Sequence, residues 1–204
     1  MLYHSRQPES RADHLPHPAR IQTAVGYIVY PAGGEIARHV HRKLAGFSLG
    51  RVLVCDPIVP AETVRGAGAE PVDLETLCRE SDYVSLHAPA LPSTRGMIGR
   101  KQFAMMKKSA ILINTARGPL IDEDALVEAL KAGRIACAGL DVFINEPLRT
   151  ESELRRLENV TLTDHAGWYS LEAMVELKTK AAQNVADVLQ GKPPRYRVNI
   201  EGLA

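Results

Sequence analysis

Ala110-Ile111-Leu112-Ile113-Asn114 is the segment that most restricts what this chain can fold into. Four apolar residues stand in a row, two of them β-branched, with a polar stop at Asn114. A strand with one wet face alternates apolar and polar residues. A run without alternation has no solvent face, and it predicts a strand buried on both sides of a parallel sheet.

Similar short runs flank it. Val25–Tyr30, Arg51–Cys55, Asp82–Leu86, Ile135–Leu140 and Val160–Thr163 all read as strands. Helical composition separates them: Glu35–Leu44, a short helix capped by Asp73 and running to Arg79, Lys101–Lys107, and a helix capped by Asp122 and running to Ala132. Glu123 and Asp124 sit in that last helix's first turn and Gly133 just past its end, as the helix dipole and the left-handed C-terminal turn favour. A final helix is expected from about Leu171 to Leu189, where Leu171, Met174, Leu177, Ala181, Val185 and Val188 recur at helical steps. Parallel strands cannot be joined by tight turns, so each intervening helix is a right-handed crossover. The prediction is an α/β fold, a doubly wound parallel sheet that is Rossmann-like, with ligands at the carboxyl ends of the strands.

Composition narrows the function. At 204 residues the chain suffices for one large domain. Lys and Arg number 25 and Asp and Glu 24, for a net charge of +1, so no basic surplus marks a nucleic-acid surface. No apolar run approaches the roughly 20 residues that span a bilayer. A small-molecule partner is expected, without nucleic acid or membrane. Cys55, Cys78 and Cys137 are sparse, odd in number and free of any C-x-x-C pair, which fits a reducing, cytoplasmic setting and no metal site. Residues 1–22 are rich in Pro, Arg and His, lack the apolar segment of a secretory signal, and are expected to form a poorly ordered lead-in.

Four places at the ligand edge carry chemistry. The turn after the first strand reads Ala32-Gly33-Gly34-Glu35-Ile36-Ala37. A dinucleotide fold places G-x-G-x-x-G there, so that the backbone can approach a pyrophosphate, and an acid about 20 residues on. Gly34 and Ala37 fill the second and third places, while Ala32 replaces the first glycine. Asp56 follows the second strand, where a carboxylate accepts hydrogen bonds from a ribose and repels a 2′-phosphate, favouring NAD over NADP. An ordinary Gly-rich turn and an Asp-Pro turn remain the bland reading. Arg117 follows the most apolar strand and is able to grip a carboxylate with two parallel hydrogen bonds. Asp141 and Glu146 follow the next strand, and His165 the last, with the chain's single Trp168 three positions later. Taken singly, these are a loop arginine, a capping and a solvated acid, a structural histidine and a core tryptophan. Together they bring a carboxylate clamp and a carboxylate-supported acid/base to one crevice, the equipment for reducing a 2-oxo acid.

From about Leu44 to Asn199 the sequence resembles the nucleotide-binding domain of the D-2-hydroxyacid dehydrogenases. The matching stretches are Arg51–Pro57 (RVLVCDP), Val84–Pro89 (VSLHAP), Thr94–Gly99 (TRGMIG), Ile111–Leu126 (ILINTARGPLIDEDAL), Gly133–Ile135 (GRI), Gly139–Phe143 (GLDVF) with Glu146-Pro147, and Thr163–His165 (TDH). His165–Ser170 (HAGWYS) looks most like the C-terminal-binding-protein branch. The resemblance implies an NAD-dependent oxidoreductase acting on a D-2-hydroxy acid and 2-oxo acid pair, as a homodimer. His165 would be the acid/base, Glu146 its partner, and Arg117 the catalytic clamp on the substrate carboxylate. Gly33, Gly34, Asp56, His87, Pro89, Thr115, Ala116, Asp141 and Gly167 would contact the cofactor, and Trp168 would wall the substrate pocket. The domain expectation is a dinucleotide-binding domain at residues 23–190, including the helix from about 171, then a tail at 191–204. The family's substrate domain is expected to be missing, because about 24 residues precede the first strand. Leu91 stands where Thr or Asn is usual, and Asp164 replaces the usual Pro before the histidine. The alternative function is an NAD(H)-binding or partner-binding module that no longer turns over substrate.

Overall fold

The computed structural model describes residues 24–29, 35–47 and 49–195. Seven parallel strands form one sheet: β1 (Ala24–Val29), β2 (Arg51–Cys55), β3 (Glu70–Pro71), β4 (Tyr83–His87), β5 (Ile111–Asn114), β6 (Cys137–Leu140) and β7 (Val160–Leu162). Their spatial order is β3-β2-β1-β4-β5-β6-β7. The chain steps outward from β1 to β3, then crosses back to lay β4 on the other side of β1. That reversal is the switch point at which a doubly wound sheet opens a crevice beyond its strands' carboxyl ends. The expected Rossmann-like sheet is therefore present.

The helices are α1 (Glu35–Leu44), α2 (Ala61–Gly66), α3 (Leu74–Glu80), α4 (Arg100–Met105), α5 (Glu123–Lys131) and α6 (Leu171–Leu189). Asp73 and Asp122 cap α3 and α5 as anticipated, accepting from Thr76 N at 2.7 Å and Ala125 N at 3.1 Å. Sequence reading misses α2 and β3. One has six residues and the other two, and β3 ends in Pro71, a residue that reads as a breaker. It also starts β6 too early. Ile135 is fully buried, but the strand begins at Cys137.

Alternation decides which face of the sheet is core. The register aligns Leu53, Val84, Leu112 and Ala138 on one side, with Leu86, Asn114 and Leu140 beyond them. All of these are buried, and Val84, Leu86, Leu112, Ala138 and Leu140 share one core with Leu77, Phe103, Ile98, Leu120 and Leu126 from α3, α4, α5 and their loops. The opposite face carries Val52 and Val54 under α1, where Ala37 is 6% exposed, and then Tyr83, Ile111 and Ile113. Ile111 and Ile113 are only half-buried, so β5 is not covered equally on its two sides as its apolar run suggests.

The β3 margin is tied down by a fork. Arg51 Nη2 and Nε reach Glu70 at 2.6 and 3.0 Å, while Nη1 reaches Glu80 at 2.7 Å. These hydrogen bonds raise the Arg51 guanidinium further above its ordinary value and lower the Glu70 carboxyl.

The described residues from 163 onward form a second compact unit. In it, Ser170 caps α6 by accepting from Ala173 N at 3.0 Å. The helix closes on Gly191 in the left-handed region, and Lys192 N donates to Asp187 O at 2.8 Å. Buried Asp187 receives Gln183 Nε2 and Arg195 Nε, fastening the following segment to the helix. Leu171, Leu177, Val185 and Val188 of the anticipated stripe are exposed. Among the described residues no helix is long and apolar enough to cross a membrane.

Candidate active site

Each strand of the sheet's middle delivers a site residue at its carboxyl end because the strand stops there. β2 ends at Cys55, and Asp56 turns the chain. Its Oδ1 accepts from Ile58 N at 2.9 Å and Val59 N at 3.2 Å, a short loop built around Pro57. Its Oδ2 is buried with no hydrogen-bond partner among the described residues. A buried carboxylate oxygen needs a donor, and a ribose hydroxyl is of the right kind. This oxygen is the observation by which the residues present fit an adenosine ribose. Gly33 and Gly34 lie outside the described residues; Ala37, in the third glycine place, is tucked against Val52 and Val54.

β4 ends at His87. Ser85 and His87 are two apart and share a face, so Ser85 Oγ meets His87 Nε2 at 2.9 Å. Burial disfavours the imidazolium and pushes His87 down to about 4, leaving a neutral ring at neutral pH. The loop beyond is pinned by fully buried Thr94, whose Oγ1 donates to Pro89 O at 2.7 Å and accepts from Leu91 N at 2.8 Å. Pro89 is thereby held at this edge, and Leu91 is 40% exposed.

β5 ends at Asn114, which is fully buried. Its side chain runs along the next turn, accepting from Ala116 N at 3.1 Å and donating to Arg117 O at 2.9 Å. Thr115 and Arg117 are exposed and Ala116 half-buried. The Arg117 guanidinium lies back on Ala116 O at 2.6 Å.

β6 leads into Asp141, 4% exposed, whose N–H donates to Asn114 O at 2.9 Å. The chain then dives through buried Val142 and Phe143 and surfaces at Ile144, two residues before exposed Glu146. Glu146 Oε1 turns back to accept from Phe143 N at 3.0 Å. Gly118 presses on the next peptide, Phe143–Ile144. A Cβ there would stand 2.0 Å from Phe143 C and 2.5 Å from Ile144 N.

The structure thus brings Asp56, His87, Thr115, Ala116, Arg117 and Asp141 to one edge of one sheet. His165, Gly167 and Trp168 belong to the second unit. His165 has φ of 59°, a left-handed backbone that few side chains adopt. Tyr169 N donates to Ala166 O at 2.9 Å across Gly167, and Trp168 packs edge-on to Tyr169 with centroids 5.3 Å apart. Sequence reasoning assigned no role to Asn114, Thr94 or Ser85. All three are buried polar residues, and the available signal was a polar side chain at a position whose neighbours are core. A groove of about 520 Å³ between α5 and residues 145–153 is lined by none of the assigned residues; its Arg100 and Lys131 pair with Glu128 and Glu153.

Comparison with known proteins agrees with this geometry. Residues 24–167 match the D-isomer specific 2-hydroxyacid dehydrogenase, NAD binding domain, family. The D-3-phosphoglycerate dehydrogenase of Methanocaldococcus jannaschii is 41% identical over 171 residues, 83% of this chain and 32% of that protein. The glyoxylate reductase of Korarchaeum cryptofilum is 43% identical over 168 residues, 82% of this chain and 50% of that protein. Among solved structures, D-lactate dehydrogenase with NAD+ from Lactobacillus jensenii superposes with a TM-score of 0.76 at 31% identity, over 87% of this chain and 56% of that one. The holo form of D-mandelate dehydrogenase from Rhodotorula graminis gives 0.77 at 36% identity, over 88% and 53%. The chain spans about a third to a half of the curated relatives it matches.

Proposed function

Because this chain belongs to the D-isomer specific 2-hydroxyacid dehydrogenase family through that family's NAD-binding domain, we propose that it binds NAD(H) at the carboxyl edge of its sheet and serves the interconversion of a 2-oxo acid and a D-2-hydroxy acid. The observation that carries the reading is the buried Asp56 Oδ2 at the end of β2, an acceptor awaiting a donor where the adenosine ribose of such a fold lies. The same carboxylate repels the 2′-phosphate of NADP. NADH, when bound, supplies a hydride to the substrate carbonyl carbon. Asp141 is positioned by its backbone beside Asn114 to hold the carboxamide end, with Thr115 and Ala116 beside it. Arg117 is the clamp for the substrate carboxylate. His165 delivers the proton that the carbonyl oxygen takes up in reduction and removes it in oxidation, with Glu146 as its carboxylate partner and Trp168 as a pocket wall. Strained backbone is concentrated at functional residues, and the left-handed φ of His165 is consistent with that assignment.

A second reading is a module that binds NAD(H) or a partner without turnover, favoured by the resemblance of His165–Ser170 to the C-terminal-binding-protein branch. The family resemblance also carries a homodimer, open to sedimentation analysis, and the sparse cysteines favour a reducing, cytoplasmic setting. Titration with NADH, followed by nicotinamide fluorescence, tests the first element of the proposal, and oxidation of NADH by glyoxylate tests the second. Saturable binding with turnover abolished by His165→Ala supports the dehydrogenase. Binding without turnover supports the module, and a folded chain that binds no NADH refutes both cofactor readings.

A further inference from the structure

Asn114 is a wholly buried residue with three hydrogen-bonding atoms that reach the sheet's carboxyl edge. Its backbone carbonyl receives Asp141 N at 2.9 Å. Its side-chain oxygen receives Ala116 N at 3.1 Å, and its side-chain nitrogen donates to Arg117 O at 2.9 Å. A hydrogen bond inside a core meets less competition from water than an exposed one, so these three contacts hold their partners firmly. The partners are the residues proposed above for the carboxamide, the cofactor wall and the carboxylate clamp. A residue that merely ended a strand would need none of this; an apolar residue would fill the same volume without the cost of burying an amide.

We propose that Asn114 is a positioning residue, a bracket that sets the backbone of Arg117 relative to Asp141 and so aims the guanidinium at the substrate carboxylate. The inference rests on the reading of Arg117 as the clamp. It does not make Asn114 a catalytic residue, since the amide acts through the backbone of its neighbours. Gly118 extends the bracket. Its φ lies outside the left-handed region, so glycine is required there for space: only a residue without Cβ lets the Arg117 turn lie on the Phe143 peptide. The N–H of Phe143, one peptide earlier, is in turn held by Glu146.

The two side-chain bonds separate by substitution. Asn114→Asp keeps an acceptor for Ala116 N but sets a carboxylate oxygen against Arg117 O. Asn114→Ala removes both bonds. Amide hydrogen exchange by NMR reads the bracket itself. The Ala116 amide is expected to exchange about tenfold faster or more in Asn114→Ala, and to stay protected in Asn114→Asp, with Leu112 unchanged in both. Oxamate, a 2-oxo acid mimic, reads the consequence in the presence of saturating NADH. Asn114→Asp is expected to weaken oxamate about tenfold or more while NADH alone binds within about threefold of the wild type. Unchanged oxamate affinity in Asn114→Asp overturns the proposal. So does equal loss of NADH and oxamate, which marks a structural residue. A wild-type chain that binds NADH and not oxamate refutes the clamp reading and with it the role assigned here, and the exchange measurement then still reports whether the bracket exists. Should Asn114→Ala not fold, Asn114→Asp carries both readouts.

Discussion

Replacing Gly118 by alanine puts a methyl group into backbone. The new Cβ would lie 2.0 Å from Phe143 C, 2.2 Å from Phe143 O and 2.5 Å from Ile144 N. Non-bonded carbons rest at roughly 3.5–4.0 Å, so the two loops must part by about 1.5 Å. Neither side yields cheaply. Gly118 opens a 3₁₀ turn that leads into fully buried Leu120, and Phe143 is 7% exposed with its ring in the core. Overpacking of this sort costs about 1–3 kcal/mol, and contact with backbone in place of a flexible side chain puts it at the upper end. For a chain of this size each kcal/mol lowers Tm by about 2–4 °C, so about 2–3 kcal/mol predicts a fall of about 4–12 °C in a thermal melt. Catalysis should suffer more than folding. Arg117 and Glu146 flank the wedge, and a shift of about 1 Å between reacting groups costs about a hundredfold in rate. Oxamate binding with NADH present should weaken accordingly, while NADH binding, anchored at Asp56 on the far side of β1, changes little. A melt within about 1 °C of the wild type would show that the two loops do not lie in rigid contact, and the argument for a shared support of Arg117 and Glu146 would fall with it.

His87 supplies a pH test. Its folded value is pushed down to about 4 by burial, below the roughly 6.5 of an unfolded histidine. Between those limits the unfolded chain binds the extra proton, so stability is full above about pH 6.5 and is lost as pH falls toward 4. About 1–2 kcal/mol should disappear between pH 7 and 5 in urea titrations, and His87→Gln should flatten that slope; an unaltered slope would place the dependence elsewhere. Asp56→Ala removes a charge-assisted acceptor worth about 1.5–3 kcal/mol to a bound hydroxyl, so the NADH Kd should rise about tenfold or more and the gap to NADPH should narrow. If the variant binds NADH as tightly as the parent, the ribose does not sit on Asp56.

How much of this was written legibly in the chain differs from residue to residue. β5 was plain because Ile111, Leu112 and Ile113 leave no wet face in the sequence, and α5 was plain because Asp122 and Gly133 punctuate it at both ends. Burial on each face was less legible, since it depends on which helix lands where: Leu112 is sealed, while Ile113 on the opposite side is not. The short elements α2 and β3 carry too few residues to show a period. Among the residues proposed for the site, the places of Asp56, Arg117 and Asp141 at the sheet's carboxyl edge were readable from their position after strands. Asn114 was read as the strand's polar end, because a hydrogen bond from a side chain to the backbone two and three residues later leaves no trace in composition. The wedge at Gly118 was equally silent, as its partner at Phe143 is distant in sequence and meets it only once β5 and β6 pair. The Asp187–Arg195 clasp spans a helix end and a turn, a spacing that no periodicity picks out.

The forked Arg51 has a bearing on how the molecule behaves in a crowded solution. An open sheet edge is a template onto which a stray strand adds itself, and many β-rich proteins begin to aggregate there. At this margin the template is two residues long, and its second residue, Pro71, has no N–H to offer a newcomer. Arg51 draws the Glu70 carboxylate onto its own guanidinium and leaves a bulky ion pair beside the ladder. The outermost strand is too short, too poor in donors and too charged to seed further pairing. Growth of the sheet stops at β3, so the molecule meets its neighbours through side chains there and not through backbone.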